Sequence, residues 1–243
     1  MDQQTRQALK HDKFVDTTTH GLEWAGENRR SLIMTSSIVA AAILAVVIGV
    51  IVYNSRAAQA SVAFGAAMQA YQTPIAAPGQ QVPPGVKTFA SVSDRAKAAN
   101  QLFMGVADKY GMTPDGKNAR YFAGLTYVEQ GQNGPAESTL KQVADGWNSD
   151  LAALAKLSLA QLYRQTGRDS QAIDIYNQLT AKPTTTVPAG LAQLQLAELY
   201  ETEGKPELAK KIYAQLKDKD PKGPVGAMAA QKLNPAPVGP AGQ

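Results

Sequence analysis

The chain has 243 residues, 44% of them hydrophobic, enough for one sizeable folded domain with additional segments and too apolar for disorder of the whole. Its net charge of +4, with both signs interspersed, lacks the clustered basic face that a nucleic-acid partner requires. Cysteine is absent and both histidines, His11 and His20, lie in the first 20 residues, which excludes disulfides and thiolate ligands and denies the rest of the chain a Ser-His-Asp triad or a histidine metal site.

Residues 1–31 form a polar tail carrying Arg6, Lys10, Lys13, Arg29 and Arg30. From Leu32 to Tyr53 the chain reads LIMTSSIVAAAILAVVIGVIVY without a charge. As a helix this run covers roughly 33 Å, the thickness of a bilayer core, and predicts one transmembrane helix over residues 32–53. Ala58-Gln59-Ala60 has the small-x-small form of a signal-peptidase site, so cleavage after Ala60 is the rival reading. A signal h-region of about 7 to 15 residues is shorter than this run and follows a briefer tail, so a retained anchor is expected.

Arg56 is the one Lys or Arg close after the run, against five before it, which predicts a cytoplasmic tail. Residues 54–233 then lie outside the inner membrane, in the periplasm of a Gram-negative cell. Ser37, Ala41, Ala45 and Gly49 recur every four residues and offer a small-residue stripe for contact with another membrane helix, although an alanine-rich span produces such stripes by chance. Trp24 and Tyr53 fall near the two ends, where headgroups favour such rings.

Beyond the span, Phe64, Met68 and Tyr71 suit the first helix of a degenerate helix hairpin, and Ala99, Phe103 and Val106 suit its second. The stretch 73–90, rich in Pro and Gly, reads as a loop inserted between them. Self-similarity follows. Tyr127, Tyr163 and Tyr200 recur every 36 or 37 residues, each preceded at three residues by Gly124, Ala160 or Ala197 and followed at four by Gly131, Gly167 or Gly204. Ala136, Ala172 and Ala209 come next, and then the bulky Leu140, Tyr176 and Tyr213.

Small residues let two antiparallel helices approach, the bulky ones fill the adjoining space, and glycine ends the first helix in a left-handed turn. The spacing predicts hairpins over 117–147, 153–182 and 190–221, with Pro135 and Pro206 near second-helix starts and a Thr-rich loop between Pro183 and Pro188. Residues 225–233 read as a capping helix, and residues 234–243, with three prolines, as a disordered tail.

These residues resemble the tetratricopeptide repeat, nominal period 34, with two or three residues added between units. The expected fold is all-α: one N-terminal membrane helix, then an α-solenoid of about four hairpins and a capping helix. In that family the first helices line a concave groove. Carried over, the groove positions are Asn118, Tyr121, Leu125 and Glu129; then Leu154, Leu157, Gln161, Arg164 and Gln165; then Leu191, Leu194, Glu198, Glu201 and Thr202. Core packing between units accounts equally for several of the leucines. The set lacks the recurrent Lys and Arg of a carboxylate clamp. The lysines at 205, 210, 211, 217, 219 and 222 read as a solvated face.

Asp145, Asp150, Asp169 and Asp174 fall at turns or helix starts, where capping explains them, and no glycine-rich phosphate loop precedes a Lys-Ser or Lys-Thr pair. Neither an enzyme, a metal nor a cofactor is expected.

The tail segment 9–15 (LKHDKFV), the span and the run 197–200 (AELY) together resemble the YfgM family of bacterial inner-membrane proteins. That resemblance implies an ancillary subunit of the SecYEG translocon, a scaffold passing secreted chains to periplasmic chaperones. An adaptor in envelope or cell-wall assembly is the alternative.

Overall fold

A 43-residue helix, α1 (Arg29–Tyr71), opens the computed structural model, which describes residues 24, 26–76, 85 and 87–234. The chain divides into two compact units that meet between Ser55 and Arg56. In the first, the apolar side chains of α1 are exposed, Ile38 and Val46 among them. Its most apolar 18-residue window has a mean hydropathy of 2.6 and no buried residue, so this helix is long and apolar enough to cross a membrane.

The second unit opens with the remainder of α1. Phe64, Met68 and Tyr71, expected on a helix of their own, lie on α1 itself, because the alanine-rich stretch after the apolar run contains no proline to stop it. They pack against Ala99, Phe103 and Val106 of α2 (Val92–Tyr110), the partner the pattern predicts. Phe103 and Phe122 stack with ring centroids 5.3 Å apart, and Phe64 and Tyr71 lean on both rings.

Three further hairpins follow: α3 (Pro114–Glu129) with α4 (Asn133–Ala144), α5 (Ser149–Gln165) with α6 (Asp169–Ala181), and α7 (Ala189–Thr202) with α8 (Pro206–Lys219). The expected small residues are at the crossings: Ala136, Ala160, Ala172 and Ala197 are fully buried, beside buried Leu140, Tyr176 and Tyr213. Helix α9 (Pro224–Leu233) covers the last hairpin, with Ala229, Val225 and Leu233 against Leu194 and Tyr213.

The three turn glycines adopt φ of +71°, +70° and +72°, and each closes the same cap. Gln132, Arg168 and Lys205 donate their backbone N–H to the carbonyls of Tyr127, Tyr163 and Tyr200 at 2.9, 2.8 and 2.8 Å. These are Schellman caps, which is why glycine follows each tyrosine at a fixed distance.

The ends of the predicted loop are pinned together: Ala76 donates its backbone N–H to the Phe89 carbonyl and Phe89 to that of Pro74, both at 3.0 Å. The loop residues 77–84 and 86, nearly all of the basic tail with its histidines, and the final segment from 235 lie outside the described residues. Asp174 is a correction. It sits within α6 on an exposed face rather than at a helix start, since α6 already begins at Asp169.

Candidate protein-binding groove

Helices α5 and α7 form adjacent walls of a concavity of about 600 Å³ lined by Gln161, Arg164, Gln165, Asp169, Gln195, Leu199 and Thr202. The inward faces of these helices are alanine and leucine, so their glutamines and arginine are left on the open side. Arg164 donates to the side-chain oxygen of Gln195 at 3.3 Å, and the Gln195 amide donates onward to Glu198 at 3.0 Å. Thr202 turns its hydroxyl to the Leu199 carbonyl at 2.8 Å. Each glutamine offers an amide donor and a carbonyl acceptor, the pair that an extended backbone presents in return.

Beneath this floor, the hydroxyl of buried Tyr176 has no hydrogen-bond partner. Burial pushes its ionisation up, with the Arg164 guanidinium opposing and the Glu198 carboxylate reinforcing. Glu201 accepts from Tyr213 at 3.1 Å and from Lys232 at 3.3 Å. Burial raises the Tyr213 hydroxyl well above the ordinary phenol range, with the bonded carboxylate adding to the effect.

Of the predicted groove residues, Gln161, Arg164, Gln165 and Thr202 come together, with Glu198 joined through Gln195. Leu194 is a correction: it is 2% exposed, packed among Ala197, Ala209 and Tyr213, and closed to a partner. Gln195, its neighbour, takes the groove position, because adjacent residues on a helix point about 100° apart and a slip of one register exchanges a core leucine for an exposed glutamine.

The remaining candidates belong mainly to packing between units. Leu125 and Tyr121 lie half-buried against the cluster of Leu140 and Leu159, and the Tyr121 hydroxyl is 3.3 Å from Ser158 Oγ. Leu157 and Leu154 are packed around Leu179 and Val187 together with Leu191. Asn118 is half-buried on α3. Glu129 is held elsewhere, accepting from Tyr71 at 2.6 Å with Arg95 3.5 Å away. The Tyr71 hydroxyl is accordingly pushed up to about 12, by burial first and the bonded carboxylate second. Ser37, Ala41, Ala45 and Gly49 lie on the exposed apolar part of α1.

Sequence reasoning missed Glu137. Lys141 and Arg168 each approach its carboxylate at 2.7 Å, and Tyr163 donates to it at 3.0 Å. Lys141 is its i+4 neighbour on α4, but Tyr163 and Arg168 come from α5 and the α5–α6 turn, which the local pattern of Glu137 does not announce. Among the described residues no group of His, Asp or Glu converges as a metal site.

Stacked helix hairpins that leave amide-bearing side chains along one concave wall define a protein-interaction solenoid rather than a pocket for a small molecule. The sequence profile of the tetratricopeptide repeat-like domain matches residues 23–182, and that of the tetratricopeptide repeat matches residues 191–223. The chain therefore belongs to the tetratricopeptide repeat-like domain family. No curated protein matches it. Two solved structures, of a Podosopora anserina protein described as a kinesin light chain with nearly identical TPR-like repeats and of a point variant of it, share the fold. The TM-score is 0.53 and the identity 17%, over 72% of this chain and 83% of that one.

Proposed function

We propose that this protein is a membrane-anchored scaffold whose solenoid, on the periplasmic side, holds an extended segment of another protein along the α5–α7 wall, and that it catalyses no reaction. The observation carrying the binding mode is the convergence of Gln161, Gln165 and Gln195 with Arg164 in one concavity. An extended chain carries unpaired N–H and C=O groups along its length, and amide side chains at helical spacing meet both kinds. The absence of repeated cations on this wall favours a segment read by its backbone over one read by a terminal carboxylate.

Residues 32–53 supply the anchor, and the excess of positive charge before them sets its direction. The likeness to the YfgM family extends this reading to an ancillary subunit of the SecYEG translocon that presents secreted chains to periplasmic chaperones, with the Ser37-Ala41-Ala45-Gly49 face lying against translocon helices.

A photocrosslinking residue at Gln161 or Gln195 of the full-length chain in cells tests the groove. Capture of translocating polypeptides or their chaperones is expected, and an R164E/Q195A pair lowers the yield several-fold. Capture of envelope-assembly enzymes instead would replace the translocon reading with the adaptor one. Protease added to spheroplasts should digest the solenoid; full protection would reverse the orientation.

A further inference from the structure

The second unit carries its two most exposed apolar side chains on the edge at which the chain enters it. Helix α2 runs back along α1, so that Tyr110, its last residue, donates its hydroxyl to Gln59 Oε1 at 3.3 Å. The turn that follows holds Met112, 86% exposed. Gly111 and Lys117 share a small concavity of about 170 Å³ with Trp147 of the α4–α5 turn, so that turn belongs to the same edge. Trp147 also borders a larger concavity of about 850 Å³ with Lys156, Lys182 and the loop residues Thr184 and Thr185. Its side chain is fully exposed and belongs to no core cluster.

A single exposed apolar residue is ordinary. Two at turn tips on one edge, beside the residues through which the chain arrives, need a solvent that favours them. The headgroup zone of a bilayer does: indole and its flanking cations partition there, ring among the glycerols and ammonium against phosphate. Lys117, Lys156 and Lys182 surround Trp147 and make no ion pair with a described residue. The carboxylates of the edge are in part engaged. Asp150 accepts the Thr185 and Thr186 amides at 3.1 and 3.4 Å, and Asp108 faces Arg120 at 3.6 Å, whereas Asp145 is exposed and Asp115, two residues before Lys117, is half-buried.

We propose that this edge docks on anionic phospholipid headgroups, with Trp147 and Met112 in the interfacial zone and Lys117, Lys156 and Lys182 against phosphate. The inference rests on the reading of residues 32–53 as a membrane span. Tyr53 ends that run six positions before Gln59. The three lysines without ion pairs among the described residues, set about an exposed indole, commit the surface to anionic lipid.

The test uses the full chain carrying W24F, so that Trp147 is the sole indole, reconstituted in nanodiscs containing phosphatidylglycerol. Trp147 emission should be blue-shifted and quenched by phospholipid brominated near the headgroup. Acrylamide quenching should be at least about two-fold weaker than in the same chain carrying K117E/K156E/K182E. Water-like emission, with equal acrylamide quenching in both chains, overturns the proposal, and is the result expected if the edge instead receives an acidic protein segment, which lipid discs do not supply. Co-elution of the chain with the discs reports the span separately: a chain that fails to co-elute refutes the anchor, whereas one that co-elutes with a water-exposed Trp147 refutes only this docking.

Discussion

Glu137 ties three elements together through one carboxylate. Hydrogen bonds from Lys141 and Arg168, with Tyr163 adding a third, hold its carboxyl down to about 2 against an ordinary 4.5. A depressed acid stabilises the fold above its unfolded pKa and loses that contribution as pH falls through the folded one. The window here runs from pH 4.5 down to about 2. Partial exposure discounts the effect to about 1–2 kcal/mol, so E137Q should cost that much at neutral pH and flatten the acid decline in urea titrations followed by circular dichroism. Tyr176 is the opposite case, a buried hydroxyl without a hydrogen-bond partner. Y176F should leave the unfolding free energy unchanged or raise it by up to about 1 kcal/mol; a clear loss would mean that the Arg164 guanidinium engages the hydroxyl in solution.

The stack depends on close approach both between neighbouring hairpins and within each one. A Cβ placed on Gly116 would lie 1.9 Å from the Tyr110 carbonyl oxygen, backbone that cannot yield, whereas one on Gly124 would meet the Leu140 side chain at 2.7 Å, which can partly rotate away. Thermal melts should therefore rank G116A, at about 2 kcal/mol or more, as worse than G124A, at about 1 kcal/mol. Gly167 has nothing within 4 Å of its missing Cβ, so the cost of G167A is the left-handed backbone alone. About 1 kcal/mol is expected there, and a substitution to Asn should recover part of it.

At the scale of the whole molecule, the stack must be closed at its end. Helix α9 lies over Leu194, Tyr213 and Leu216. Ending the full chain after Gly223 would expose that surface, and the solenoid should melt several degrees lower, by roughly the loss expected for a few kcal/mol of apolar burial. If residues 32–53 span a bilayer, alkaline carbonate should leave the protein in the membrane pellet; release into the supernatant would contradict the anchor.

The repeat spacing identified the three regular hairpins and their turn glycines, because small residues at crossings and glycine at Schellman caps are demands that a helix hairpin makes locally, on residues within one period; the apolar run was legible from its uncharged length and the last helix from a short amphipathic stretch. The concavity beside α5 and α7 was only partly legible. Gln161, Arg164, Gln165 and Thr202, carried over from the resemblance to the tetratricopeptide repeat, do line it together, but Leu194 and Gln195 differ by a single step on one helix, and which of them faces a core depends on the α8 and α9 residues packed behind it. The bonds of Glu137 to Tyr163 and Arg168 and the exposed Trp147 edge were invisible for the same reason: the groups that meet there come from helices and turns far apart in the chain, and only the stacking of hairpins decides what meets.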